Sequence, residues 1–213
     1  MKKYGSVLKD GFLLIVVSTL FVLVVNFMFS GLKKGGAADA LVTAISQENV
    51  TDAKEELSGV DATERANRPG EQGRTPLMWA AYANLSSAKL IAEADAKRIP
   101  LVELLLASGA NVNSTDRDGW SALTWASWSG LTQVAARLLE AGALPSMLDA
   151  RGNSPLMVAG LRGNAEIVHL LLAKGAETNI TRKDGKSVRE IVEEARKAYT
   201  SREAAYSEVL RGL

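Results

Sequence analysis

The chain is 213 residues long, with 25 lysines and arginines against 24 aspartates and glutamates, a formal net charge of +1 and no cysteine. A balance so close to zero makes no electrostatic case for nucleic acid or an anionic surface as partner. Without cysteine there is no disulfide framework, thiol nucleophile or thiolate metal site.

Residues 1–10 are a short flank carrying Lys2, Lys3 and Lys9. They precede Gly11 to Phe29, with no charge between Asp10 and Lys33. At about 1.5 Å rise per residue that run spans roughly 28 Å, close to the hydrocarbon thickness of a bilayer, so one transmembrane helix is predicted over 11–30. A cleavable secretory signal is the competing reading, because lysines lead into the apolar run. Against it, the run exceeds the roughly 7 to 15 apolar residues of such signals, and the nearby small-x-small site, Ala38-Asp39-Ala40, lies beyond Lys33 and Lys34. The lysine bias favours a cytoplasmic N-terminus and sends the remainder to the extracytoplasmic, periplasmic side. Residues 31–36, Gly31-Leu32-Lys33-Lys34-Gly35-Gly36, form a short linker that holds the rest of the chain near the membrane.

Beyond the linker, Gly119, Gly152 and Gly185 recur every 33 residues and open one phrase: Asp118-Gly119-Trp120-Ser121-Ala122-Leu123, Arg151-Gly152-Asn153-Ser154-Pro155-Leu156 and Asp184-Gly185-Lys186-Ser187-Val188. An earlier copy, Gly73-Arg74-Thr75-Pro76-Leu77, stands 46 residues before Gly119, which implies an insertion of 13. Ser or Thr two residues after the glycine suits a helix N-cap, and Pro76 and Pro155 occupy the next place, where a missing N–H is harmless. A second series, Gly109, Gly142 and Gly175, comes after leucine-rich runs and precedes alanine, where a helix must stop in the left-handed conformation that glycine adopts without penalty. Each unit therefore reads helix, turn, helix, hairpin. Helices this short are marginal alone and need the next pair to cover their apolar face.

The period and the Gly-x-Thr-Pro-Leu phrase resemble those of the ankyrin-repeat family, from Ala37 to the end. The expected fold class is an all-α repeat, an ankyrin solenoid preceded by one transmembrane helix. Within 37–213 the expected organisation is an N-terminal cap over 37–69, repeats over 70–113, 114–146 and 147–179, and a charged C-terminal cap over 180–213 whose extra residues lengthen the last helix. The insertion, 86–98, has a helical pattern; it is expected to protrude at the turn between helices as decoration, with Pro100 starting the resumed second helix.

Catalytic chemistry finds no constellation. His169, the sole histidine, lies in a polar slot of a second helix with no acid or nucleophile suggested beside it. The pairs Glu55-Glu56 and Glu193-Glu194 are adjacent on helices and diverge. Gly35-Gly36 and Gly160 to Gly163 lack the strand, spacing and lysine of a phosphate loop. No catalytic residue, cofactor or metal site is expected, and no small-molecule substrate.

What the resemblance implies is binding, since relatives of this kind meet partners on the concave groove of hairpin tips and first helices. Aligned on their glycines, the repeats put Arg74, Trp120 and Asn153 in one row, and Tyr82, Trp128 and Leu161 in another, with Arg162 beside them. Arg117, Asp118 and Arg151 are hairpin positions. Aromatic and arginine side chains on a groove are the composition of interface hot spots, so Trp120, Trp128 and Tyr82 are the expected contacts for a protein partner. The alternative is that Trp120 and Trp128 pack only on each other or on neighbouring repeats. Trp79 and Trp125, on one helical face, are expected in the core. Met78, Thr124 and Met157 replace the histidine common after Thr-Pro-Leu, which predicts a less rigid groove. The functional expectation is a membrane-anchored scaffold in a bacterial envelope. An accessory subunit assembled through the 11–30 helix is the alternative.

Overall fold

The computed structural model describes residues 37–85 and 87–213, so the predicted membrane helix over 11–30 and the linker over 31–36 lie outside the described residues. Among those described, no helix is long and apolar enough to cross a membrane. The fold is all-helical, with isolated β-bridges at Thr115–Ser121 and Thr181–Ser187 in place of strands.

Three helices, α1 (Ala37–Ser46), α2 (Val50–Glu56) and α3 (Ala62–Asn67), make the N-terminal cap. Leu41, Ile45, Ala53, Leu57 and Ala66 close its apolar side. The repeats come next as α4 (Pro76–Ala80) with α5 (Ala88–Ala107), α6 (Ala122–Ser129) with α7 (Thr132–Glu140), and α8 (Pro155–Arg162) with α9 (Ala165–Ala173). The last pair is α10 (Val188–Ala198) and α11 (Glu203–Gly212), joined by a 3-10 turn at Thr200–Arg202. First helices stack on first helices and second on second, so Leu123, Leu138, Leu156, Val168, Leu171 and Val192 share one elongated core.

The start signals act as expected. Ser121 and Ser154 accept from the amides of Thr124 and Met157, each at 3.2 Å, and Ser187 forms a reciprocal capping box with Glu190. Gly109, Gly142 and Gly175 take φ of +83°, +89° and +80° after the second helices. Gly119 is constrained twice over. Its φ is +82°, and a Cβ there would stand 2.8 Å from the Ala150 amide nitrogen of the next hairpin.

Several expectations need correction. Pro100 does not start a helix: it sits inside the continuous 20-residue α5, where the insertion and the resumed second helix have fused. The insertion is also more than decoration, although its first turns, at Lys89 and Leu90, are exposed at the turn side. Asp95 and Arg98 are buried. The Asp95 carboxylate accepts from the amides of Gln133, at 2.7 Å, and Val134, at 3.0 Å, capping α7 from outside its own chain segment. The Arg98 guanidinium donates to the carbonyls of Trp79 and Ala80, at 3.0 and 3.2 Å, which accounts for the early stop of α4. Tyr82 consequently stands just past that short helix and not on it.

The C-terminal residues do not lengthen the last helix. They turn back as α11, which packs on α9 and α10 with Tyr206 and Val209 buried and the Tyr206 hydroxyl donating to the Leu161 carbonyl at 3.0 Å. Trp125 is core, as expected, but Trp79 is only partly buried.

Candidate protein-binding groove

Two buried aspartates, three residues before the repeat glycines, build the groove. Asp116 Oδ1 accepts from the Asp118 and Trp120 amides, at 3.0 and 2.9 Å, which folds its hairpin. Asp149 Oδ1 does the same for Arg151 and Asn153, both at 2.8 Å. The remaining oxygens reach sideways to indoles: Trp125 Nε1 donates to Asp116 Oδ2 and Trp120 Nε1 to Asp149 Oδ2, both at 3.0 Å. The second contact crosses from one repeat to the next.

Neighbouring hairpins are also stitched by their backbones. Arg117 N donates to Gln72 O, Ala150 N to Asp118 O and Lys183 N to Arg151 O, at 3.0, 2.9 and 3.2 Å. Where histidine was replaced, Met78 Sδ accepts from the Thr75 amide at 3.4 Å and Thr124 Oγ1 shares a hydrogen bond with Ser121 Oγ at 3.1 Å. Both bonds lie within a helix start, between residues three apart.

The aromatic side chains form a ladder along this scaffold. Ring centroids are 6.3 Å apart for Trp79–Tyr82, 5.1 Å for Tyr82–Trp125, 4.5 Å for Trp120–Trp125 and 5.7 Å for Trp120–Trp128. Arginine closes both ends. The Arg74 guanidinium lies 4.3 Å from the Trp125 ring and 5.4 Å from Trp79, and that of Arg162 lies 4.3 Å from Trp128 while its Nε donates to the Trp128 carbonyl.

Of the expected contact residues, Arg74, Tyr82, Trp120, Trp128, Asn153 and Arg162 are partly buried in or beside this ladder, and Arg117, Asp118, Arg151 and Leu161 are exposed. The structure joins the two tryptophan groups that sequence separated, because Trp120 touches both Trp125 and Trp128. It adds Asp116 and Asp149, whose recurrence at the repeat period was a visible signal. His169 is exposed, and among the described residues no group of three histidines or carboxylates is placed to hold a metal.

A second depression, of about 980 Å³, lies at the turn side of the stack. The insertion, through Ala88 and Ile91, walls one end, and α11, through Ala205 and Glu208, walls the other. Trp128 and Arg162 line both features.

The helix pairs, hairpins and phased glycines define a class, and residues 90–182 match the family model described as ankyrin repeats, three copies. Over that stretch the chain is similar to ankyrin repeats, and repeats of this kind generally serve protein–protein interaction. It is 43% identical over 91 residues to the potassium channel GORK of Arabidopsis thaliana, covering 42% of this chain and 11% of the channel. It is 42% identical over 79 residues to the putative ankyrin repeat protein YahD of Escherichia coli K12, covering 35% and 39% of the two chains. With human ankyrin repeat domain-containing protein 63 the identity is 36% over 102 residues, 48% of this chain and 24% of the relative. The chain thus spans well under half the length of each.

Proposed function

We propose that this chain presents its ankyrin array beside a membrane, moored through residues 11–30, and holds a partner protein against the concave face. The observation that carries the reading is the aromatic ladder. Trp120, Trp128 and Tyr82 remain partly exposed although each is held in place by neighbours or a hydrogen bond, so they offer apolar area with little ordering left to do. The backbone stitching fixes the hairpins on which Arg117, Asp118 and Arg151 are displayed.

Extracytoplasmic placement of the array is part of the proposal and is supported by the lysine distribution alone. The test pairs capture with fractionation. Trp128→Ala and Leu161→Ala should each reduce partner recovery while the melting temperature stays within a few degrees. The full chain should stay in membranes through alkaline carbonate washing, which a chain without residues 11–30 should not. Undiminished recovery by both groove variants would dispose of the groove, and release of the full chain by carbonate would dispose of the mooring.

A further inference from the structure

Three of the four tryptophans already carry an arginine over the ring: Trp79 and Trp125 share Arg74, and Trp128 has Arg162. Trp120 has none among the described residues. It lies instead against a notch of about 180 Å³ between two hairpins, lined also by Trp125, Asp118, Asp149, Asn153 and Arg151.

Hydrogen-bonding capacity in that notch is one-sided. Both indole N–H groups are spent, on Asp149 and Asp116, and the amides of Arg151 and Asn153 are spent on Asp149. The Asn153 side-chain amide also donates to Asp149, at 2.8 Å. Asp149 in turn is filled by four donors. What is left unclaimed is acceptor capacity: the Asp118 carboxylate, exposed at the mouth, and Asn153 Oδ1. Arg151 is the one cation lining it, and its exposed side chain makes no ion pair among the described residues.

We propose that this notch receives the guanidinium of an arginine on the partner protein, stacked on Trp120 and hydrogen-bonded by Asp118. A planar cation with five N–H donors matches a π face beside free acceptors, and the protein satisfies its other tryptophans with the same group. Lysine offers a point charge without the plane, and citrulline offers the plane without the charge. The inference deepens the groove reading, on which it rests, by naming the chemistry of one contact.

The test tracks the indole N–H resonances of the full chain during titration with acetyl-Gly-Arg-Gly-amide, and with the same peptide carrying lysine or citrulline. The arginine peptide should move the Trp120 indole signal saturably, with lysine at least about fivefold weaker and citrulline weaker still. Asp118→Asn, an exposed and isosteric change, should weaken arginine binding at least about fivefold, and Arg151→Ala should tighten it. Equal response to arginine and citrulline, no saturable movement, or indifference to Asp118→Asn would overturn the proposal. Because the titration needs no partner, the two readings fail separately. Capture lost in Trp128→Ala with no arginine binding leaves the groove and removes the notch, whereas arginine binding with capture intact in the groove variants does the reverse.

Discussion

Asp149 carries more of the groove than any residue exposed on it. One carboxylate folds its own hairpin through two amides and fixes Trp120 of the preceding repeat, so replacing it leaves several buried donors unsatisfied. Asp149→Ala should cost about 3 kcal/mol in denaturant unfolding, and should broaden or shift the Trp120 indole resonance. Asp95 makes a different prediction. Burial pushes its carboxyl above the usual aspartate value, and the Gln133 and Val134 amides pull it down without cancelling that rise. Between the unfolded and folded values the folded chain binds the extra proton, so this group's contribution is full below the unfolded value and falls as pH rises through the folded one. Asp95→Asn should remove that slope from a series of acid-range melts. Asp116 and Asp149 recur visibly in the sequence, but their indole partners come from folding in space: one lies nine residues along the chain, at Trp125, and the other in the adjacent repeat, at Trp120.

At the scale of elements, the insertion in the first repeat and the addition at the C-terminal end are structural. α5 supplies the cap of α7 and the guanidinium that ends α4, and α11 covers α9 and α10. Ending the chain after Ala198 should lower the melting temperature, because it strips Tyr206 and Val209 from the core. Tyr206→Phe should cost only about 1 kcal/mol, the worth of its single bond to the Leu161 carbonyl. The helix starts and stops were legible because they are local: Ser121, Ser154 and Gly109 act through bonds within a few residues. The path of the insertion was not, since a helical pattern with alternating charges does not say that Asp95 and Arg98 meet buried amides and carbonyls elsewhere. The fusion across Pro100 was hidden for a related reason. Proline is a frequent starter of helices, as it is at Pro76 and Pro155, and tertiary packing decided otherwise at Pro100.

Over the described residues as a whole, the aromatic ladder and the core are in continuous contact, so the groove is tied to the stack beneath it. Trp120 touches Trp125, Trp125 lies over the first-helix core, and the hairpins are bonded from repeat to repeat. A partner meeting this face finds its contact groups already ordered, and a membrane mooring would raise the frequency of that meeting. The most direct measurement of the central claim is site-specific photocrosslinking in intact cells, with the photoreactive residue at Leu161 or Arg117, two exposed positions of the proposed groove, and at Lys174 on the exposed end of α9 as the control. A discrete adduct from Leu161 and Arg117, absent from Lys174, is the result expected. An adduct from Lys174 with none from the two groove positions would contradict the account.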